Sequence, residues 1–509
     1  MTQTEWGERF SAGLVDLSEV TRLSDELTAE YLEEHRLLPL ARENGAVLIA
    51  HAGPTDPQAL AELSGLFQAR VELVAVREEE LLEAVRRVYG GQGTTAAEYI
   101  AGFEPDQLSI SEEVLVAHDL EGLANQPPVI RLVNLLLAEA VEAGASDVHI
   151  EAEGFGLQVR YRIDGVLQEA PSPPPQLRAA IVSRLKIMAE LDIAERRLPQ
   201  DGRIRLRVGA SELDVRVSTL PTLRGESVVL RILDAKKQRL GLEALGFADD
   251  TLEAIGRFAS RPQGVLLSTG PTGSGKTTTL YAMLERISTG REKIVSVEDP
   301  VEYELPGVAQ VPVQAKGGLT FARALRSILR QDPDVMLVGE MRDPETTEIC
   351  VQAALTGHLV LSTLHTNDAP AALTRLLDLG VADYLVASTV DTVLAQRLVR
   401  KTCRACADAV APHAAVRSEM RAAGYQTAKI LRGTGCSECR NTGYRGRTGI
   451  YELLVVDESI REEVLRRRGA SSIRRLAMEK GMRPLRADGW RQVALGVTTP
   501  EEVLRVTAV

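Results

Sequence analysis

A multidomain α/β fold is predicted by three observations. The chain has 509 residues, too many for one core. Its apolar content of 44% supports globular packing throughout. Short apolar runs, such as 264–268 and 335–338, alternate with amphipathic stretches of helical period, such as 128–144 and 278–286. Lys and Arg total 59 against 71 Asp and Glu, a net charge of −12, which argues against a DNA- or RNA-coating protein. The basic clusters at 466–468 and 474–475 read as a solvated face or a subunit contact. No run approaches the roughly 18 apolar residues of a membrane span. Residues 1–10 lack the apolar core of a signal peptide, so a cytoplasmic chain is expected.

In chain order, residues 1–95 form a small α/β domain, with strands at 45–51 and 71–76 and helices at 57–67 and 77–89. The glycines of 90–93 open a flexible, acidic linker reaching 126. A second α/β domain follows over 127–238. It has a helix from Pro128, β segments at 147–150, 157–163, 203–208, 212–217 and 228–233, and a helix near 176–191. The prolines of 171–175 read as a stiff turn. Residues 239–400 form the core, and 401–509 a C-terminal domain with four cysteines and helices. No internal repeats are found.

The densest chemistry lies in Gly270-Pro271-Thr272-Gly273-Ser274-Gly275-Lys276-Thr277-Thr278. A glycine-rich turn between a buried strand and a helix holds nucleotide phosphates: backbone N–H groups face them, Lys276 reaches the β and γ oxygens, and the Thr277 hydroxyl ligates Mg²⁺. ATP and Mg²⁺ are therefore expected. Carboxylates follow at two strand ends, Glu298-Asp299-Pro300-Val301-Glu302 and Gly339-Glu340, where doubly wound sheets bind ligands. Other P-loop enzymes place a metal-binding aspartate where Gly339 stands, so the metal leans on Thr277 and the carboxylates near Glu298, while Glu340 activates water. His358 and His365 flank the next strand and are candidates for sensing phosphate.

Four of the five cysteines form two Cys-x-x-Cys pairs, Cys403 with Cys406 and Cys436 with Cys439. Two such knuckles supply four thiolates to a structural Zn²⁺ with no open position for substrate. Cys350 reads as a small core residue.

These residues resemble the secretion ATPases of type II secretion and type IV pilus machines. The segment from Leu329 through Gly339-Glu340 to Asp343 is similar to the family signature, 298–302 to its aspartate box, and 357–366 to its histidine box. Residues 145–151, 161–165 and 217–222 resemble the second N-terminal domain, and the resemblance covers about 127–455. It implies a PAS-like second domain, a RecA-like P-loop core and a homo-hexameric ring with ATP sites between them. Arg216 and Arg231 then resemble arginines brought to the nucleotide by the second domain, while Arg326, Arg330 and Arg342 belong to the core. The four-cysteine segment with 443–452 looks most like the type II secretion members, which power pseudopilus assembly and protein export as protein-secreting translocases. The expected partners are inner-membrane platform proteins, one of the L kind with a cytoplasmic domain and one of the F kind. They recruit the ring to the inner membrane through residues 1–95. Pilus extension ATPases share the cysteine insert and are the alternative. A RecA-like nucleic-acid motor is disfavoured by the acidity of the chain and by the lack of an aromatic-basic strand-binding stretch.

Overall fold

The computed structural model describes residues 17, 20, 23, 24, 27, 29–43, 45–89, 95–102, 117–208, 211–233, 239–314 and 317–508. The chain forms two compact units, one of residues up to 139 with 171–184, the other of 140–170 with 185–509.

The first unit holds a three-stranded sheet of β1 (Leu37–Glu43), β2 (Ala46–His51) and β3 (Arg70–Ala75), in that order. β1 and β2 are antiparallel; β2 and β3 are parallel, joined through the helix Pro57–Phe67. Asp56 caps that helix by accepting from Gln58 N at 2.9 Å, and Gln68 ends it in the left-handed region with φ 47°. Leu37, Val47, Ile49, Leu63, Leu81 and Val85 form the core. Sequence reading missed β1, whose pattern is broken by Pro39 where its pairing with β2 shifts register.

The glycines at 90–93 lie outside the described residues. The described part of the expected linker is helical, in Ala96–Ala101 and Ala117–Ala124. A flexible joint was expected there because the local signal is short. Thr95 and Glu98 form a reciprocal capping box that starts the first of these helices.

The second unit contains two large sheets. The first is antiparallel, in the order β6-β5-β4-β9-β8-β7. Its strands are β4 (Ala145–Glu153), β5 (Gly156–Ile163), β6 (Val166–Glu169), β7 (Gln200–Val208), β8 (Ser211–Thr222) and β9 (Gly225–Leu233). The second is the core sheet, in the order β12-β11-β13-β14-β10-β15-β18. It comprises β10 (Gly264–Thr269), β11 (Ile294–Glu298), β12 (Val308–Pro312), β13 (Val335–Val338), β14 (Leu359–Leu364), β15 (Val390–Thr402) and β18 (Tyr444–Val455). All its pairs are parallel except β15 with β18. β10, β11, β13 and β14 are buried at every residue, which is why they read as short, mainly apolar runs without strand alternation. Successive residues of β10 feed opposite cores: Val265 and Leu267 pack on one face, Leu266 on the other with Leu280 and Tyr281.

The expected core boundary at 400 falls inside β15, and β18 closes the sheet from beyond it. The residues between these two strands carry the cysteines and the hairpin of β16 (Ala407–Val410) and β17 (Ile430–Gly433). Among the described residues, no helix is long and apolar enough to cross a membrane.

The last helix, Pro500–Thr507, docks on β15 through Glu502, which accepts from Arg400 N at 2.9 Å, Arg400 Nη2 at 2.8 Å and Arg505 Nη2 at 2.7 Å. Burial pushes the Glu502 pKa up, but the hydrogen bonds from Arg505 and Arg400 prevail and hold it at about 2. An unfolded glutamate titrates near about 4.3, so the unfolded chain takes up this proton first as pH falls. The stabilisation is therefore complete above that value and is lost as pH drops towards 2. Glu502→Gln is expected to be less stable than wild type by about 3 kcal/mol at pH 7, and the gap should close below pH 3. Urea denaturation of both proteins across that range checks it.

Candidate nucleotide site

β10 ends at Thr269 and delivers loop 270–275 to the C-terminal edge of the parallel strands. Two glycines are dictated by the backbone. Gly270 has φ 149°, and a Cβ there would sit 2.6 Å from the Gln396 carbonyl oxygen. Gly275, with φ 88°, is the N-cap of the helix Lys276–Ile287. That helix begins two residues before the expected start at 278, so Lys276 and Thr277 lie in the first turn, where N–H groups have no intrahelical acceptor. Pro271, Thr272 and Gly273 are exposed, Ser274 is buried, and Thr277 and Thr278 are half-buried.

Lys276 Nζ donates to the loop's own carbonyls, Gly270 O at 2.8 Å and Pro271 O at 3.1 Å. Burial brings its pKa down to about 8, Glu340 opposes that, and Arg397 adds to it. An ammonium held by two neutral oxygens is under-compensated, and an anionic ligand restores the balance.

Glu340 follows β13. Gly339 N donates to Val297 O at 2.8 Å, and the Gly339 carbonyl accepts from Thr363 Oγ1 at 2.7 Å. A Cβ at 339 would lie 3.3 Å from Val297 O and 3.4 Å from Glu298 Cα, so the missing aspartate is also a matter of space. The largely buried Glu340 carboxylate pairs with Arg342 and lies 3.6 Å from His365 Nε2. Burial, then the charge of Lys276, lowers the His365 pKa, so its imidazole is neutral at pH 7. Lys276, Glu340, Arg342 and His365 thus converge at one sheet edge.

Three expected site residues are turned to other partners. His358 precedes β14 at its N-terminal end, its Nδ1 donating to Ala353 O at 2.8 Å, and its carbonyl accepts from Gly264 N at 3.2 Å. Because β10 and β14 are parallel, the two histidines are separated by a strand length, about 20 Å, and only His365 stands at the loop. Glu298 is buried and turned inward, accepting from Tyr281 OH, from Ser296 Oγ at 2.5 Å and from Gln310 Nε2 at 3.3 Å. Arg231 donates to Asp147 Oδ1 at 2.9 Å within its own sheet. By contrast Arg216 of β8 reaches the segment after β11, donating to Val301 O at 3.1 Å with Glu302 4.0 Å away. Arg326 pairs with Glu345, and Arg330 donates to Arg326 O at 2.6 Å.

Sequence reading missed Gln396 and Arg397 of β15, which flank the loop. Two adjacent polar residues inside the apolar run Val393-Leu394-Ala395 to Leu398-Val399 are the signal that could have found them.

The cysteines meet the geometric demand of a metal. A tetrahedral ion with metal–sulfur bonds of about 2.3 Å needs sulfur–sulfur edges of about 3.8 Å. Cys403–Cys436 is 3.9 Å, Cys406–Cys439 3.8 Å and Cys436–Cys439 3.7 Å, and all four Sγ atoms lie within 4.8 Å of one another. Backbone N–H groups point at the sulfurs, Gly435 at Cys406 (3.3 Å), Cys436 at Cys439 (3.2 Å) and Gly443 at Cys439 (3.3 Å), and the pair at Cys439 outweighs burial to favour its thiolate. Cys350 is fully buried in the core, as expected.

Comparison with known proteins gives the family. The Type II/IV secretion system protein family matches residues 122–505, and the MshEN domain matches 10–95. Type II secretion system protein E of Xanthomonas campestris pv. campestris is 47% identical over 483 residues, covering 94% of this chain and 84% of that protein. The type IV pilus assembly ATPase PilB of Myxococcus xanthus is 43% identical, covering 94% and 85%. The X-ray structure of the Legionella pneumophila ATPase DotB shares the fold, with a TM-score of 0.55 at 20% identity over 74% of this chain and 95% of that one. With most of its length matched and a relative near half identity, this chain belongs to the Type II/IV secretion system protein family.

Proposed function

We propose that this chain is the cytoplasmic ATPase of a type II secretion system, a protein-secreting translocase that converts ATP hydrolysis into pseudopilus assembly and export across the outer membrane. The observation that carries this is the convergence of Lys276, Glu340 and His365 beside a glycine loop at one sheet edge. The N–H groups of 273–276 and the Lys276 ammonium bind the β and γ phosphates. The Thr277 hydroxyl holds Mg²⁺, which neutralises phosphate charge when bound. Glu340 takes the proton of the water that attacks the γ-phosphorus as the bond to the bridging oxygen breaks, and neutral His365 holds the carboxylate's orientation. Arg342, now paired with Glu340, is released towards the γ-phosphate when that charge arrives.

Arg216 and Arg231 complete the site by closure of the antiparallel sheet's domain on a core within a homo-hexamer. Support comes from the reach of Arg216 to Val301 and from Arg231, whose side chain is 60% exposed and paired with Asp147. The domain limits 1–95 and 127–238 remain part of this proposal, with residues 1–95 recruiting the ring to inner-membrane platform proteins, while the core begun at 239 extends past 400 to include β18. Cys403, Cys406, Cys436 and Cys439 hold one Zn²⁺. A pilus extension ATPase is the second reading, favoured by the 43% identity to a pilus assembly relative. The membrane protein that co-purifies with residues 1–95 decides between them.

Lys276→Ala is expected to weaken nucleotide binding, whereas Glu340→Gln keeps binding and loses at least about a hundredfold in kcat. Phosphate release by a Glu340→Gln protein at the wild-type rate would remove Glu340 from the mechanism. Elemental analysis of protein purified without chelator should find one zinc per chain. Cys436→Ser should lower zinc content and solubility before it lowers turnover at the loop. Turnover per chain should rise with concentration as rings assemble; constant specific activity from monomer to hexamer, followed by light scattering, would exclude a shared site.

A further inference from the structure

β15 runs beside β10, with Ala395 paired to Thr269, so the next two residues of β15 lie alongside the phosphate loop. Their side chains point to opposite faces, as strand neighbours must. Gln396 is 1% exposed. Its Nε2 donates to Ser274 O at 2.8 Å, and its Oε1 accepts from Ser268 Oγ at 3.3 Å. The same amide nitrogen would lie 3.2 Å from a Cβ at Gly275. The amide therefore ties the loop's far end to the strand that precedes it and holds the Ser274 carbonyl on the protein side.

Arg397 takes the other face. Its Nη2 donates to Asn367 O at 2.9 Å and its Nη1 to Gln396 O at 3.0 Å, and Nη1 would lie 3.0 Å from a Cβ at Gly270. Asn367 follows His365 by two residues. Between them Thr366 N donates at 2.8 Å to Oγ1 of Thr269, the last residue of β10 before the loop. Asp368 caps the next helix by accepting from Ala371 N at 2.9 Å and pairs with Arg474. The segment bearing His365 is thus fastened residue by residue, and Arg397 spans from it to Gly270.

We propose that Gln396 and Arg397 are positioning residues of the ATP site, Gln396 fixing the phosphate loop for nucleotide binding and Arg397 holding the His365 segment against that loop for hydrolysis. The assignment rests on the ATPase function proposed above. Losing the Gln396 donor leaves the Ser274 carbonyl buried and unpaired, free to turn towards the phosphate and oppose it. Losing Arg397 frees the segment that sets His365 against Glu340, and misplacement of such a group by about 1 Å is enough to slow chemistry.

The test uses full-length protein, steady-state ATP hydrolysis and binding of fluorescent mant-ADP, with melting temperature recorded for each variant. Gln396→Met, similar in volume but without the donor, is expected to raise KM for ATP and Kd for mant-ADP about tenfold while kcat falls less than threefold. Ser268→Ala, which loosens the same amide from the strand side, should shift both affinities the same way by about threefold, and it serves if Gln396→Met does not fold. Arg397→Gln should show the reverse split, kcat down about tenfold with mant-ADP affinity within threefold. Wild-type affinity in the Gln396 and Ser268 variants, or affinity and kcat declining together in step with melting temperature, overturns the assignment. Unchanged kcat in Arg397→Gln overturns its second half. Absence of turnover in wild type with mant-ADP binding intact would instead sink the ATPase function, and the affinity shifts would still decide the role of Gln396.

Discussion

The rest of this structure is organised around one under-compensated charge. The Lys276 ammonium is buried at the edge of a parallel sheet and, among the described residues, hydrogen-bonded only to the carbonyls of its own loop. A buried cation of this kind is costly unless opposite charge stands nearby. Glu340 supplies that charge across the edge, and Glu340 is itself shared with Arg342 and His365. The four are delivered from three strand ends, Lys276 by the helix after β10, Glu340 and Arg342 after β13 and His365 after β14, so the arrangement exists only if β10, β13 and β14 keep their parallel register. Their complete burial, between two cores fed by alternate residues of β10, secures that register.

Much of this was legible in the sequence because the strongest signals are local. A glycine loop between an apolar run and a helix, and paired Cys-x-x-Cys knuckles, depend on spacing alone. The parallel strands of the core were legible because burial on both faces leaves short runs rich in Val, Leu and Ile. What failed depended on direction. His358 and His365 look equivalent in sequence, since both touch β14, but a parallel strand has one functional end. Glu298 looks like a ligand beside Asp299 and Glu302. Strand alternation turns it instead to a buried tyrosine, serine and glutamine.

Gln396 and Arg397 were hidden for a further reason. Their importance comes from a strand more than a hundred residues away from the loop they flank, and no local pattern announces such a neighbour. The long antiparallel pair of β15 and β18 was likewise hard to see, because the cysteine segment interrupts it and suggests a domain boundary at its midpoint.

That interruption carries a structural consequence. β15 ends at Thr402, and Cys403 follows at once, its N–H donating to Gly443 O at 2.9 Å just before β18 begins. Gly433 and Gly443 cross so closely that a Cβ on either would collide with the other's carbonyl. The cysteine cluster therefore closes the open end of the β15–β18 ladder, and the ladder's register sets Gln396 opposite Tyr451. Tyr451 OH in turn donates to Leu245 O at 3.0 Å, at the start of the core. A slip of one residue in this pair would turn Gln396 and Arg397 to each other's faces. The cysteines, with no open position for chemistry, thus bear on the phosphate loop through strand register, and a structural knuckle this far along the chain belongs to the same mechanical unit as the nucleotide site.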